Sequence, residues 1–160
     1  MHLIYTYVDT PIGAILIAGD ETAIVEIHFA GAEPQPDWTH HPAALREAAT
    51  QLRAYFAGER TTFDLPLAPR GTEFQQSVWN ALQQIPYGET TTYSAIAERI
   101  GRPAAVRAVG AANGANPIPI VIPCHRVIGA SGSLTGFGGG LDVKRQLLAM
   151  EARVAGQTLF

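Results

Sequence analysis

The chain has only one cysteine, Cys124, among its 160 residues. Because a disulfide needs two thiols, an internal disulfide is excluded, and so are the zinc sites that several cysteines and histidines build together. The sulfur therefore has to be explained alone. One interpretation is an inert core thiol, since cysteine is among the most frequently buried residues. The other is a reactive thiol.

Long hydrophobic runs are also missing from the sequence. Although 47% of the residues are hydrophobic, the longest apolar stretches, such as Ile118–Pro123, are far too short to cross a bilayer. The first residues lack the basic and then apolar regions of a secretory signal. These absences predict a globular, cytoplasmic protein that does not associate with a membrane and has one ordinary domain or two small ones.

The neighbours of Cys124 favour a reactive thiol. A proline-punctuated apolar stretch precedes it, and His125 and Arg126 follow it directly. His125 can accept or relay a proton, and the charge of Arg126 favours a thiolate. The pKa of a free cysteine, about 8.5, has to fall for useful nucleophilicity near neutral pH. By itself the Cys124-His125 pair is a weak signal of catalysis, because the side chains of adjacent residues point away from each other.

Acidic residues are absent between Glu98 and Asp142, a stretch that contains Arg99, Arg102, Arg107 and Arg126. The net charge of the whole chain is −3, but residues 1–70 carry −5 and residues 71–160 carry +2. A local positive surface can bind phosphate even on an acidic protein, which indicates a nucleic-acid partner. Independently solvated arginines are the alternative.

Residues 1–70 have the pattern of a β-rich domain. Turn signals separate three segments rich in β-branched and aromatic residues, which predicts an antiparallel meander with strands at Ile4–Val8, Ala14–Ala18 and Ala23–Phe29. A helix is predicted over Ala43–Ala57. His40 and His41 are interpreted as solvated loop residues and not as metal ligands, because adjacent side chains point apart and no third ligand is evident.

A linker over Asp64–Thr72 leads to a helical domain. Thr72 and Gln75 match a capping box for a helix that ends near Ile85. A helix from Thr92 to Ile100, a two-residue turn and a helix from Pro103 to about Ala112 give the outline of a helix-turn-helix, with Arg107 on its second helix. The outline is a weak indicator of DNA binding by itself.

The segment between these helices and the last one carries the candidate chemistry. Prolines predict an extended backbone over Ile118–Pro123, and Asn116 is expected to tie the preceding turn together. Six glycines in residues 129–140 allow the backbone to approach a flat ligand closely, with a flexible loop as the alternative. A last helix is predicted over Leu141–Val154, with Val143, Leu147, Met150 and Val154 facing inward. Glu151 lies late in this helix, where a carboxylate opposes the helix dipole and requires a partner.

Several motifs in residues 71–151 together resemble one family in their order and spacing. They are Phe74-Gln75 to Trp79, Ile85 to Thr90, Thr92-Tyr93 with Ile96-Ala97, Arg107 to Gly110, Asn116-Pro117, Pro123 to Val127, Gly136 to Gly140, and Glu151. The sequence is similar to the O6-alkylguanine-DNA alkyltransferases. The resemblance implies an α+β protein, with a small antiparallel-sheet, RNase H-like N-terminal domain at residues 1–70. It implies a helical C-terminal domain with a helix-turn-helix at residues 71–160.

The resemblance also implies a function, namely direct-reversal DNA repair. A methyl or other alkyl group would pass irreversibly from O6-alkylguanine in double-stranded DNA to Cys124, once per molecule; O4-alkylthymine is a further candidate substrate. No cofactor and no metal are implied, since the cysteine ligands of the zinc-containing members are absent. The free protein is expected to be a monomer, with cooperative assembly on DNA left open.

Roles for individual residues follow from the same resemblance. His125 would act on Cys124 through a water, Glu151 would orient and polarise His125, and Asn116 would support this network by hydrogen bonds. Tyr93 would give its hydroxyl proton to the leaving base and crowd the phosphate. Arg107 would fill the stack that the flipped base vacates, with Arg102 and Arg126 as further DNA contacts.

The base pocket is implied by the resemblance at Val127, Phe137 and Gly138. Backbone groups at Val127 and Gly138 would read the base, and Phe137 would form an aromatic wall. Phe137 stands where the family usually has tyrosine, and Gly138 stands where some members have serine. These two departures leave the preferred alkyl size open.

Three other interpretations compete with the alkyltransferase. A non-catalytic sensor of alkylated bases would lack the acceptor cysteine, and Cys124 argues against it. A helix-turn-helix transcriptional regulator would leave the Pro-Cys-His-Arg run unused. A cysteine hydrolase would turn over repeatedly, whereas an alkyltransferase stops after one equivalent.

Overall fold

A computed structural model of the chain describes residues 2–132, 137 and 139–157. The chain forms two compact units, Met1–Arg70 and Gly71–Phe160. The first unit contains the strands β1 (Ile4–Thr10), β2 (Gly13–Gly19), β3 (Ile24–His28) and β4 (Thr39–His40), followed by helix α1 (Arg46–Phe56). The second unit contains α2 (Glu73–Leu82), β5 (Thr91–Thr92), α3 (Tyr93–Arg99), α4 (Val106–Gly114), β6 (Val127–Ile128) and α5 (Leu141–Gln157).

The sheet of the first unit has the strand order β3-β2-β1-β4. β1 and β2 form a hairpin in which Thr10 lies opposite Gly13. Gly13 has a φ of 103°, and a Cβ there would lie 2.6 Å from the Cβ of Ala30, so the turn requires glycine. The predicted antiparallel meander is confirmed for β1 to β3, but β4 was not predicted and pairs with β1 in parallel.

Helix α1 packs on β1 and buries Leu52 and Tyr55. The helix predicted over Ala43–Ala57 is correct only in part, because a 3-10 helix at Pro42–Leu45 precedes α1. The ring Nδ1 of His41 accepts a hydrogen bond of 3.3 Å from the Ala44 amide and caps this tighter turn.

The predicted linker Asp64–Thr72 is partly ordered into the first unit. The amide of Ile24 donates to the Pro66 carbonyl at 2.9 Å, and the amide of Ala68 donates to the Ile24 carbonyl at 2.8 Å. These bonds extend the edge of the sheet at the start of β3. The hydrogen bonds of a sheet edge, which the sequence pattern does not reveal, therefore fix this segment.

The helix starts of the second unit follow the predicted caps. The Thr72 hydroxyl accepts from the Gln75 amide at 3.1 Å, and the Gln75 side chain accepts from the Thr72 amide at 2.9 Å, which confirms the capping box of α2. Thr92 caps α3 through a bond of 3.1 Å from the Ala95 amide. None of the described helices is both long and apolar enough to cross a membrane.

The connection between α3 and α4 is longer than the predicted two residues. Gly101, with a φ of 76°, ends α3 in a Schellman motif: its amide donates to the Glu98 carbonyl, and the Arg102 amide donates to the Ala97 carbonyl. Pro103 lies in the turn that follows and not in the first turn of α4, which begins at Val106. The two helices pack against each other, and α4 also packs on α2, so a helix-turn-helix outline remains.

Candidate active site

The segment that leads to the cysteine is a tight buried loop. The Asn116 side chain donates to the Ile122 carbonyl at 2.8 Å and accepts from the Ile118 amide at 2.9 Å, so Asn116 ties the loop together as predicted. The extended backbone predicted over Ile118–Pro123 is wrong, because the Ile122 amide bonds back to the Ile118 carbonyl. Ile120 has a φ of 75°, a strained value for a β-branched residue.

Cys124 begins a 3-10 turn, Cys124–Arg126, and only 4% of its surface is exposed. Burial raises the pKa of the thiol to about 11, and this effect outweighs a hydrogen bond from Asn116, the charge of Lys144 and nearby backbone amides, all of which lower it. The sequence led us to expect a lowered pKa. The resting cysteine is therefore a protonated thiol that needs a base.

His125 follows in the same turn and is completely buried. Its Nε2 lies 2.7 Å from Oε2 of Glu151. Burial lowers the pKa of His125 and outweighs the opposing effect of Glu151, so the ring is neutral near pH 7. In a neutral ring whose Nε2–H donates to a carboxylate, Nδ1 carries the lone pair. Nδ1 is buried and has no hydrogen-bond partner among the described residues.

Glu151 on α5 binds both His125 and Arg126 through its two carboxylate oxygens. In addition to the contact with His125, Nε of Arg126 donates to Oε1 at 2.8 Å, and Nη2 of Arg126 donates to Oε2 at 3.0 Å. Burial alone would raise the pKa of Glu151, but the hydrogen bonds from His125 and Arg126 and the positive charge of Arg126 lower it to about 2. Glu151 is therefore a buried carboxylate anion at any physiological pH.

The position of Arg126 corrects its predicted role as a DNA contact. The residue is 6% exposed, and its guanidinium is held by Glu151 and by the Ile85 carbonyl, which accepts from Nη1 at 2.8 Å. The guanidinium also lies 5.5 Å from the centre of the Tyr87 ring. A buried guanidinium with these partners neutralises Glu151 and does not present its charge to a phosphate.

Lys144 is a site residue that the sequence pattern did not bring to attention. It is the only lysine of the chain, is fully buried, and donates from Nζ to the Val127 carbonyl at 2.7 Å. Burial lowers the pKa of Lys144, while Cys124 opposes this shift. The predicted inward face of α5 is shifted, because Lys144, Leu147, Met150 and Glu151 are buried while Val143 and Val154 are half-buried. The spacing of Lys144 from Glu151, two helical turns, could have revealed the residue.

Parallel pairing of β5 with β6 links Cys124 to the helix pair. Val127, directly after the cysteine turn, lies opposite Thr91, which shortly precedes Tyr93 at the start of α3. Tyr93 is half-buried, and a Cβ on Gly110 of α4 would lie 3.9 Å from its ring. The pairing therefore places the start of α3 next to the cysteine turn, and the Tyr93 ring lies near Gly110 of α4.

The remaining predicted residues are distributed as follows. Arg107 lies near the start of α4 and Arg102 in the connection before it, and both are exposed. Val127 is fully buried and Phe137 is half-buried. Gly138 lies outside the described residues. Among the described residues, no group of three or more His, Cys, Asp or Glu side chains could hold a metal ion, His40 and His41 included.

The site and its surroundings define a class of protein. A buried thiol, a neutral histidine hydrogen-bonded to a carboxylate, and a helix pair with exposed arginines lie in one compact unit. This combination is that of a thiol nucleophile attached to a helix-turn-helix.

Comparison with known proteins identifies the family within this class. Residues 73–153 match the family model for the 6-O-methylguanine DNA methyltransferase, DNA binding domain, and residues 3–69 match the model for the ribonuclease-like domain of the same enzyme. The chain belongs to the 6-O-methylguanine DNA methyltransferase family.

Individual relatives agree along nearly the whole chain. The methylated-DNA--protein-cysteine methyltransferase of Mycolicibacterium paratuberculosis is 56% identical over 161 residues, which cover 98% of each chain. The protein of the same name from Methanosarcina acetivorans is 56% identical and covers 92% of this chain and 97% of its own. The crystal structure of Mycobacterium tuberculosis OGT in complex with DNA has 51% identity and a TM-score of 0.89, covering 96% of this chain and 94% of that one. The α+β fold with a helical C-terminal unit is thereby confirmed.

Proposed function

We propose that this protein repairs DNA by direct reversal, moving a methyl or other alkyl group irreversibly from O6-alkylguanine in duplex DNA to Cys124. The observation that carries the proposal is the buried thiol of Cys124 next to His125. Nε2 of His125 lies 2.7 Å from Oε2 of Glu151, which leaves Nδ1 free to accept a proton. This is the arrangement of an activated thiol nucleophile. The family membership supports the same reaction.

The reaction is a displacement at carbon. The sulfur–carbon bond to Cys124 forms while the bond between that carbon and O6 breaks, and the electron pair of the broken bond stays on the guanine. The thiol proton passes to His125, and the guanine takes a proton from the hydroxyl of Tyr93. The proton on His125 then returns through solvent to the Tyr93 phenolate, so both side chains regain their starting states. The net products are a thioether and an unmodified guanine, and protons and electrons balance. Because a thioether offers no easy leaving group, the protein acts once.

The charges around Cys124 suit this proton transfer. Deprotonating a thiol with a pKa of about 11 at pH 7 costs about 5 kcal/mol, so a positioned base is needed. His125 is neutral at rest and can accept the proton at Nδ1, after which the Glu151 carboxylate stabilises the imidazolium. Asn116 donates to the sulfur and favours the thiolate.

The helix pair provides the DNA surface in this proposal. Arg107 near the start of α4 would enter the minor groove and occupy the stack left by the flipped base, and exposed Arg102 would contact a phosphate. Tyr93, at the start of α3, would crowd the phosphate and favour rotation of the nucleotide. Val127, Phe137 and Gly138 would line the base pocket, with O6-alkylguanine as the preferred lesion. We expect a free monomer located in the cytoplasm.

Mass spectrometry tests the reaction directly. The protein is mixed with excess duplex DNA containing O6-methylguanine, and with unmethylated duplex of the same sequence as the control. We expect a gain of one methyl group per chain, confined to the peptide with Cys124, and none in the C124S variant. An unmodified protein that still binds the lesion would support a non-catalytic sensor instead, and release of product beyond one equivalent would support a hydrolase.

A further inference from the structure

Asn113, on the last turn of α4, has an unexplained polar atom beside the reactive cysteine. The residue is 3% exposed, and its Nδ2 makes a long hydrogen bond of 3.4 Å to the carbonyl of Cys124. This bond fixes the orientation of the amide, because a flip would place two oxygens against each other. Oδ1 of Asn113 is buried and accepts no hydrogen bond from the described residues.

A second unpartnered acceptor belongs to the residue that follows Cys124. Nδ1 of His125, which follows Cys124 directly, is buried and has no partner among the described residues. A buried acceptor without a donor is unfavourable, because folding removes its hydrogen bonds to water and nothing replaces them. Buried polar groups that find no protein partner are commonly satisfied by an ordered water, which typically makes about three hydrogen bonds.

We infer that Asn113 is a positioning residue that, together with His125, holds the water through which the Cys124 proton leaves. This inference rests on the proposed function, since it concerns activation of the same thiol. The water donates one hydrogen bond to His125 Nδ1 and the other to Asn113 Oδ1. One of its two lone pairs accepts from the thiol of Cys124, so all three groups are satisfied by one molecule.

The arrangement accounts for every proton. The thiol proton moves to the water as the proton that the water shared with Nδ1 moves to His125, which leaves a thiolate, a neutral water and an imidazolium. Asn113 exchanges no proton. By binding the second hydrogen of the water, it keeps the lone pair directed toward the sulfur. Without this acceptor the water can rotate, and the path from sulfur to His125 is interrupted.

A near-isosteric substitution, N113L, tests the role without leaving an unsatisfied amide. The measurements are the rate at which iodoacetamide alkylates Cys124 from pH 6 to 10 and the single-turnover rate of methyl transfer from O6-methylguanine duplex. We expect N113L to lower both rates about tenfold at pH 7, a part of the gain that general-base catalysis provides. The same chemical change at exposed Asn80 on α2, N80L, is the control and should react as the unchanged protein.

A double-mutant cycle separates positioning from a structural effect. If Asn113 acts through the water on His125, N113L should change the rate less than twofold in an H125N background. The other charged groups that face Cys124 and His125 are Lys144, Arg126 and Glu151, and they remain in all variants. If N113L does not fold, N113S, which has a shorter side chain, replaces it in both backgrounds.

Two results would overturn the inference: an N113L pH profile equal to that of the unchanged protein, or an equal loss in the H125N background. A high-resolution crystal structure without a water bonded to both Asn113 Oδ1 and His125 Nδ1 would also overturn it. The iodoacetamide reaction does not involve DNA. Failure of the unchanged protein to accept a methyl group would therefore refute the proposed function alone.

Discussion

Removing the charge of Glu151 should destabilise the second unit strongly. In the substitution E151Q, the side chain keeps its size and can still accept a hydrogen bond from His125. The guanidinium of Arg126, however, loses the carboxylate that binds it at 2.8 and 3.0 Å, and Arg126 stays buried. Breaking a buried ion pair on one side costs about 3–5 kcal/mol, because the remaining charge is left without compensation.

The pKa of Glu151 gives a second, independent value for the loss of stability. The folded protein lowers it from 4.5 to about 2, which corresponds to about 3 kcal/mol of stability at neutral pH. Because the folded pKa lies below the unfolded value, this stability is fully present above the unfolded pKa. It disappears as the pH falls through 4.5 toward about 2. The two arguments agree, and we expect E151Q to lose about 3 kcal/mol at pH 7.

Urea unfolding of the unchanged protein and of E151Q, followed from pH 7 down to pH 2, measures this effect. The difference in unfolding free energy between the two proteins should be constant at neutral pH and shrink below about pH 4.5, because Glu151 then becomes protonated. The other carboxylates titrate in both proteins, so their contributions cancel in this difference. The control is E98Q, because Glu98 is an exposed carboxylate on α3. A loss below about 1 kcal/mol at pH 7, or a difference that does not shrink in acid, would refute the reasoning.

Three further predictions address other contacts of the second unit. K144M should raise the pKa of Cys124 above about 11 and move its alkylation by iodoacetamide to higher pH, and an unchanged profile would contradict the role of the lysine charge. R107A should slow methyl transfer from duplex DNA at least about tenfold while the melting temperature and the iodoacetamide reaction stay unchanged, since Arg107 is exposed; equal transfer rates would exclude a DNA contact. W79F should cost about 2 kcal/mol in urea unfolding, because the Ala112 carbonyl loses a buried bond of 2.8 Å from Trp79, and a loss below about 0.5 kcal/mol would count against this bond.

Local signals in the sequence predicted the local structure well. The caps at Thr72 and Thr92 work through bonds that span three residues, and the hairpin between β1 and β2 follows its turn residues. The pairing of β4 with β1 and of Leu67 with Ile24 joins segments that are distant in sequence. The short, exposed strand at Thr39–His40 has no sequence pattern that predicts its partner strand. Pairings of this kind depend on the assembled sheet and not on the sequence of one strand.

The sequence identified several residues of the site, but it did not predict how they are arranged. The sequence placed Asn116 in a turn and Cys124 and His125 after an extended segment. It also required a partner for Glu151, but it could not say that Arg126 binds this carboxylate as well. An arginine two residues after a cysteine can point to solvent or into the core, and its orientation here depends on a carboxylate 25 residues away. The same limit applies to Lys144, whose carbonyl partner lies in another element.

The protonated state of the resting thiol suits a protein that reacts once. With a pKa of about 11, about one Cys124 in 10⁴ is a thiolate at pH 7, so a chance electrophile in solution meets an unreactive group. The groups that accept the proton and stabilise the products are nevertheless already in place: neutral His125, anionic Glu151 and the Asn116 donor. Reactivity then depends on an alkyl group held in line with the sulfur, since proton transfer and bond formation occur together. A permanently ionised thiol would react with the first alkylating agent that reached it, whereas a thiol whose proton passes to His125 as the new bond forms reacts fastest with an alkyl group that is held in line, which favours the substrate base in DNA.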